Sequence, residues 1–257
     1  MVGHHEHPSF RTWASSRLVA PAFALTPAKQ AIFEDLLRAP ALQRDDGLIN
    51  YTCDYPKHEF LRYVVEHTGL LLHGSRHPTL SVLHPIRHSS DTAAFGQQAA
   101  VYAASDGIWP IVFAILDRQV YHGAFCNECS RVELNGHQSS PFYMFAIEAQ
   151  GLRRHPWREG MIYLLPRASF VPRPPDVIDG LTIHCQEWAS TTSVQPIAKL
   201  PVGAADFPFL HECWGFDEQV LLARTGTYPD TWPFGDLTDP ALYPIRPMTW
   251  QPDTPRE

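Results

Sequence analysis

Three stretches of the chain hold residue types that do chemistry. The first is Leu70-Leu71-Leu72-His73-Gly74-Ser75-Arg76, where three leucines lead into an imidazole, a bare backbone and a hydroxyl. A buried strand ending this way delivers all three to the mouth of a cleft. Gly74 has no Cβ, so a ligand can approach its amide and carbonyl closely. We read a nucleotide site here; the alternative is a turn that merely closes a strand. The second stretch is Val101-Tyr102-Ala103-Ala104-Ser105-Asp106, whose Tyr102 offers a flat face with few rotors to freeze. The third is Glu187-Trp188, a carboxylate late in the chain. Gln186 and Glu148 are its rivals, and each of these side chains has a plain packing or surface alternative.

The elements that position these residues follow from caps and apolar spacing. A helix is predicted over 27–38, with Thr26 as N-cap, Pro27 at the first helical position and Ile32, Phe33, Leu36 and Leu37 as its face. A second runs over about 57–68, opened by Pro56, buried through Phe60, Leu61, Val64 and Val65, and stopped by Gly69. The leucine-rich strand follows directly. A loop from Pro78 to Gly96, anchored by Leu80, Leu83 and Ile86, leads to a strand over 99–104. Ser105 or Asp106 caps a helix that starts within 107–110 and ends near 116, with Pro110 in its first turn. Strands are expected at Val120-Tyr121, Phe142 to Glu148, Gly160 to Pro166, Leu181 to Cys185 and Val194 to Val202, with a proline-rich connection from Phe170 to Asp179. Many short strands with few helices indicate an α+β sheet fold. No glycine-rich dinucleotide or P-loop fingerprint is present, which excludes those two nucleotide folds.

Composition narrows the function classes. The formal charge of −7 disfavours tight non-specific binding to nucleic acid. The polar start Met1-Val2-Gly3-His4-His5-Glu6-His7 lacks an apolar leader, and the strongest apolar run, Ile108 to Leu116, is too short to span a bilayer. We therefore expect a soluble, cytoplasmic protein with no membrane partner. The five cysteines are odd in number and suit a reducing compartment. Cys126 and Cys129 have a zinc-ligand spacing without a second such pair, and a hairpin or loop is the plainer reading. The His4-His5-Glu6-His7 tract is read as incidental, and no metal is expected. Aromatic residues Phe207, Phe209, Trp214, Phe216, Trp232 and Phe234, with Leu210, are expected to pack the tail onto the core. The loop at about 150–160, with Arg153, Arg154, His155, Trp157 and Arg158, is basic and aromatic; beside a cleft it suits an anionic acceptor, and otherwise it is a solvated turn.

Taken in order, Leu72-His73-Gly74-Ser75-Arg76, Val101-Tyr102-Ala103-Ala104-Ser105-Asp106 and Glu187-Trp188 resemble the ADP-ribosyltransferase superfamily, in its poly(ADP-ribose) polymerase/diphtheria-toxin-like (His-Tyr-Glu) branch. The resemblance covers about residues 60–202. It implies split antiparallel β-sheets with flanking helices, and three regions: an N-terminal extension over 1–56, the ADP-ribosyltransferase-like domain over 57–202, and a C-terminal extension over 203–257 packed on the core. It implies NAD as substrate, with His73 on a ribose hydroxyl, Gly74 on the nicotinamide carboxamide, and Tyr102 stacked on the ring. Ser75 and Arg76 belong to the same cofactor-binding stretch, and Phe113 matches the family's second stacking aromatic. Glu187 is implied at the nicotinamide ribose. The family's small hydroxyl residue on the following helix is replaced by Pro110. The implied activity is mono-ADP-ribosyl transfer, a glycosyltransferase reaction, to a protein or nucleic acid acceptor that the sequence leaves open. Other readings on the same fold are an NAD glycohydrolase, an RNA 2′-phosphotransferase-like enzyme using Arg76 and Arg87, and a non-catalytic nucleotide-binding module.

Overall fold

A computed structural model describes Ala14, residues 17–38, 47–86, 94–178 and 180–217, and Gln219. The His4-His5-Glu6-His7 tract, Arg87, Asp179, Trp232 and Phe234 lie outside the described residues.

Local signals set the first two helices. Helix α1 (Pro27–Arg38) starts where the Thr26 hydroxyl accepts the Lys29 amide, 3.2 Å away. It buries Phe33 and Leu36, while Ile32 is turned outward. Helix α2 (Lys57–Thr68) stops at Gly69, whose φ of 69° is the left-handed conformation that glycine adopts without a Cβ clash. Phe33 packs edge-on to Phe60, 5.5 Å between ring centres, which locks the two helices together.

The strands form two largely antiparallel sheets, an α+β architecture. The site sheet is built from β2 (Leu71–Ser75), β3 (Val101–Ala104), β7 (Gly160–Leu165), β8 (Val171–Pro172), β11 (Glu187–Ser190) and β12 (Ala198–Val202), in the order β12-β7-β2-β3-β11-β8. The second sheet runs β1-β6-β4-β10-β9, from β1 (Leu18–Val19), β4 (Phe125–Leu134), β6 (Phe142–Glu148), β9 (Asp176–Ile178) and β10 (Leu181–Cys185). Two further strands join it: β5 (His137–Gln138) on β4, and β13 (Trp214–Phe216) parallel to β6. Short helices α3 (Ala94–Gln97), α4 (Trp109–Ile115) and α5 (Ala149–Leu152) complete the order. No described helix is long and apolar enough to cross a membrane.

The main core joins Phe33 of α1, Phe60, Leu61 and Val64 of α2, Leu72, Ile111 and Ile115 of α4, and Tyr143 and Phe145 of β6. Phe207 and Phe209, from beyond β12, belong to the same cluster, so this part of the tail packs on the core as expected.

Several local expectations differ. Val120-Tyr121 is a turn, because the Asp117 carbonyl accepts both the Val120 and Tyr121 amides. Cys126 to Cys129 lies inside β4 and is neither hairpin nor loop. Successive strand side chains alternate faces, so the two thiols point to opposite sides of the sheet and cannot share one ion. The last strand is shorter than expected: Val194 pairs separately with Leu83, and β12 starts at Ala198. Ile86 pairs with Ala100 yet is 59% exposed, so it does not anchor its loop through burial. The proline-rich connection holds two edge strands, β8 and β9. Pro172 is tolerated there because an edge strand has one side without a ladder.

Candidate active site

The three sequence motifs fall on three adjoining strands, β2, β3 and β11. Their register is explicit: Glu187 lies opposite Ala104, and Ala104 lies opposite Leu72. Paired residues share a sheet face, so Glu187, Ala104 and Leu72 point the same way, toward α4. Alternation then puts Tyr102 and Gly74 on that face too. Tyr102 and Glu187 are diagonal neighbours, with about 7–8 Å between them. The His73 ring belongs to the opposite face, with Leu71 and Ala103.

Backbone direction defines a second feature. The Ser105 amide donates to the Gln186 carbonyl at 3.0 Å, so Ser105 faces β11. The groups of Ala104 and Tyr102 alternate with those of Ser105, which puts Ala104 and the Tyr102 carbonyl on the β2 side. By the same alternation Leu72 bonds toward β3, and the amide and carbonyl of Gly74, two residues on, also point there. Yet the β2/β3 pairing consists of Leu72 and Ala104 alone. Past Leu72 the two strands part, and Gly74 presents both backbone groups to the split.

His73 bridges that split. Its Nδ1 lies 2.7 Å from the Tyr102 carbonyl oxygen. A carbonyl only accepts, so the proton sits on Nδ1 and Nε2 carries a free lone pair. Burial lowers the basicity of His73, and the bond to Tyr102 partly opposes that shift. The ring is therefore neutral at pH 7, with an acceptor nitrogen.

Gly74 has a steric role as well. A Cβ there would fall 1.9 Å from the Pro110 carbonyl oxygen and 3.0 Å from the Ala114 nitrogen, so only glycine lets α4 lie this close to β2. Helix α4 is fixed by Asp106, whose Oδ1 accepts the Ile108 and Trp109 amides while Oδ2 accepts the Tyr143 hydroxyl at 2.7 Å. Asp106 is thus the cap, and Ser105 turns to Gln186 instead.

The remaining candidates have distinct surroundings. The Ser75 hydroxyl accepts the His77 amide at 3.2 Å and shapes the turn after β2. Arg76 donates to the His77 ring at 3.3 Å. Tyr102 directs its hydroxyl at the Phe95 and Gln98 carbonyls, and its ring meets Phe95 edge-on. Phe113 is 41% exposed on α4 and contacts the rings of Trp109 and Phe125 rather than Tyr102. Of the rivals to Glu187, Glu148 ends β6 in the other sheet. Gln186 is buried and holds the sheets together: its amide donates to the Cys129 carbonyl, its Oε1 accepts from Ser105, and its Nε2 donates to the His184 carbonyl.

Sequence reasoning missed Arg173. Its guanidinium lies 3.4 Å from the Glu187 carboxylate, and its amide donates to the Glu187 carbonyl at 2.9 Å. The only local signal was a basic residue inside the proline-rich run. Asn127 was also missed; its side chain accepts the Trp109 indole N–H at 2.7 Å and joins β4 to α4. The thiols are poor nucleophiles: burial pushes Cys126 and Cys213 up to about 12, and raises Cys129 and Cys185 as well. Among the described residues no three His, Cys, Asp or Glu side chains group as a metal site. In the loop after α5, Arg153 and Arg154 are exposed, whereas Arg158 reaches Asp117 at 4.0 Å. Comparison with known proteins finds no matching family model, curated protein or solved structure.

Proposed function

We propose that this chain is an NAD-dependent mono-ADP-ribosyltransferase that moves ADP-ribose to a macromolecular acceptor, protein or nucleic acid, and releases nicotinamide. The observation that carries the reading is the β2/β3 split. Gly74 turns its amide and carbonyl to it, Tyr102 stands beside it, and Glu187 lies diagonal to Tyr102 on the same face. In this reading the Gly74 backbone pairs with the carboxamide, whose donor and acceptor it complements. Tyr102 stacks on the ring, and Phe113 is the second aromatic wall. The His73 Nε2 accepts from a ribose hydroxyl. Pro110 contributes no hydroxyl, so the carboxamide grip rests on the Gly74 backbone.

The reaction breaks the bond between ribose C1′ and the nicotinamide nitrogen, and the electron pair passes to that nitrogen. The ring leaves neutral, so no strong general acid is required. Positive charge develops on the ribose as in other glycosidic cleavages. The Glu187 carboxylate accepts from the ribose hydroxyls and stabilises that charge. The acceptor then gives a lone pair to C1′ and loses its proton.

The test is nicotinamide release from NAD by the full chain, with Glu187→Ala and His73→Ala alongside. Release by the wild type, reduced about 100-fold or more in Glu187→Ala, is expected. Binding of NAD by calorimetry without release indicates a nucleotide-binding module instead. Neither binding nor release overturns the NAD reading. Release that leaves all the ADP-ribose free in solution makes water the acceptor and the protein a glycohydrolase.

A further inference from the structure

We propose that Arg173 is the positioning residue for the Glu187 carboxylate, an inference that rests on the transferase reading above. Arg173 stands where the chain leaves β8, at the edge of the site sheet, and crosses to β9, at the edge of the other. Beside this crossing runs the step from β10 to β11 through Gln186. Arg173 therefore meets Glu187 at the first residue of β11, and it does so twice. Its amide donates to the Glu187 carbonyl at 2.9 Å, which fixes the backbone. Its guanidinium lies 3.4 Å from Glu187 Oε2, which restrains the side chain. Both side chains are about four-fifths buried, at 19% and 20% exposure, so water screens the pair little. A second carboxylate, Asp176 Oδ2 at 3.6 Å, holds the guanidinium from the other side.

The chemical consequence lies in the orientation of the carboxylate. Arg173 holds it from the Oε2 side. A free glutamate at the head of a strand samples several rotamers; one held at both backbone and carboxylate does not. The orientation is set before substrate arrives, and misplacement of a catalytic group by about 1 Å costs on the order of 100-fold in rate. Arg173 touches no reacting atom, so its effect falls on turnover rather than on NAD affinity.

A double-mutant cycle on nicotinamide release tests this, with the full-length wild type, Arg173→Gln, Glu187→Gln and the double variant, and Arg173→Lys as a fifth protein. Arg173→Gln is expected to lower kcat about 10- to 100-fold, with KM for NAD within threefold and an unchanged circular dichroism spectrum. Arg173→Lys, which keeps the charge, should recover part of the loss. The double variant should be no slower than Glu187→Gln, because Arg173 acts only through that carboxylate. Wild-type turnover in Arg173→Gln, or losses that multiply in the double variant, overturn the proposal while leaving the transferase reading intact. Absence of release from the wild type overturns that reading first, and this inference with it.

Discussion

The His73 ring is held by the backbone of another motif: its Nδ1 donates to the Tyr102 carbonyl oxygen, 2.7 Å away. One hydrogen bond thus couples the imidazole of β2 to the backbone of β3 at Tyr102. It also determines the tautomer, so a polar contact within the protein leaves Nε2 as the acceptor nitrogen.

This relationship sets a pH dependence. Burial moves His73 below the ordinary imidazole value of 6.5. Protonation is therefore disfavoured in the folded chain. The stability that the neutral ring contributes is present above the unfolded value and is lost as pH falls through the folded one. NAD affinity, measured by calorimetry, should be flat from pH 8 to 6.5 and weaken only below that. A fall beginning above pH 7 contradicts the assignment of His73 as a neutral acceptor.

Gly74→Ala should unfold at lower urea concentration, with a loss of about 2–3 kcal/mol, because the new methyl meets the Pro110 carbonyl inside a packed helix–strand contact. Gly69→Ala is the control. Nothing lies within 4 Å of a Cβ there, so the φ of 69° is its main penalty, about 1 kcal/mol. Equal losses in the two variants would remove close packing as the reason for Gly74.

Asp106→Ala removes the cap of α4 and the partner of a buried hydroxyl together. About 3 kcal/mol is the expected loss in equilibrium unfolding, the sum of a cap and an orphaned tyrosine. Adding Tyr143→Phe to Asp106→Ala should recover part of it, since the second change deletes the group left unpaired. Strict additivity would show that Asp106 and Tyr143 do not act as a unit.

What the sequence made legible was what neighbours along the chain decide. Thr26, Pro27, Pro56 and Gly69 delimit α1 and α2 through capping, which needs no distant partner. The heads and tails of β2, β6 and β10 were legible from apolar runs. Strand β4 was not, because Asn127 and Glu128 read as loop residues. Their polarity is satisfied from far away: Glu128 pairs with Arg17 at 2.8 Å and Asn127 with Trp109. In the candidate site the motifs were visible, and so was their order. The split between β2 and β3 was not, since it depends on which residues stop pairing. Arg173 was hidden for a related reason: its partner Glu187 is brought to it by two adjacent crossings between sheets.

Those crossings have a mechanical meaning. Gln186 fastens β11 to β3 through Ser105, and to β4 through the Cys129 carbonyl. One wall of the split is thereby bolted to the neighbouring sheet. The other wall, β2, is laddered to β7 along its whole length and lies tight under α4 at Gly74. Both walls of the split are thereby anchored from outside it, so the gap between them is held by their outer neighbours rather than by each other, and Tyr102 and Glu187 keep their spacing as a fixed gauge.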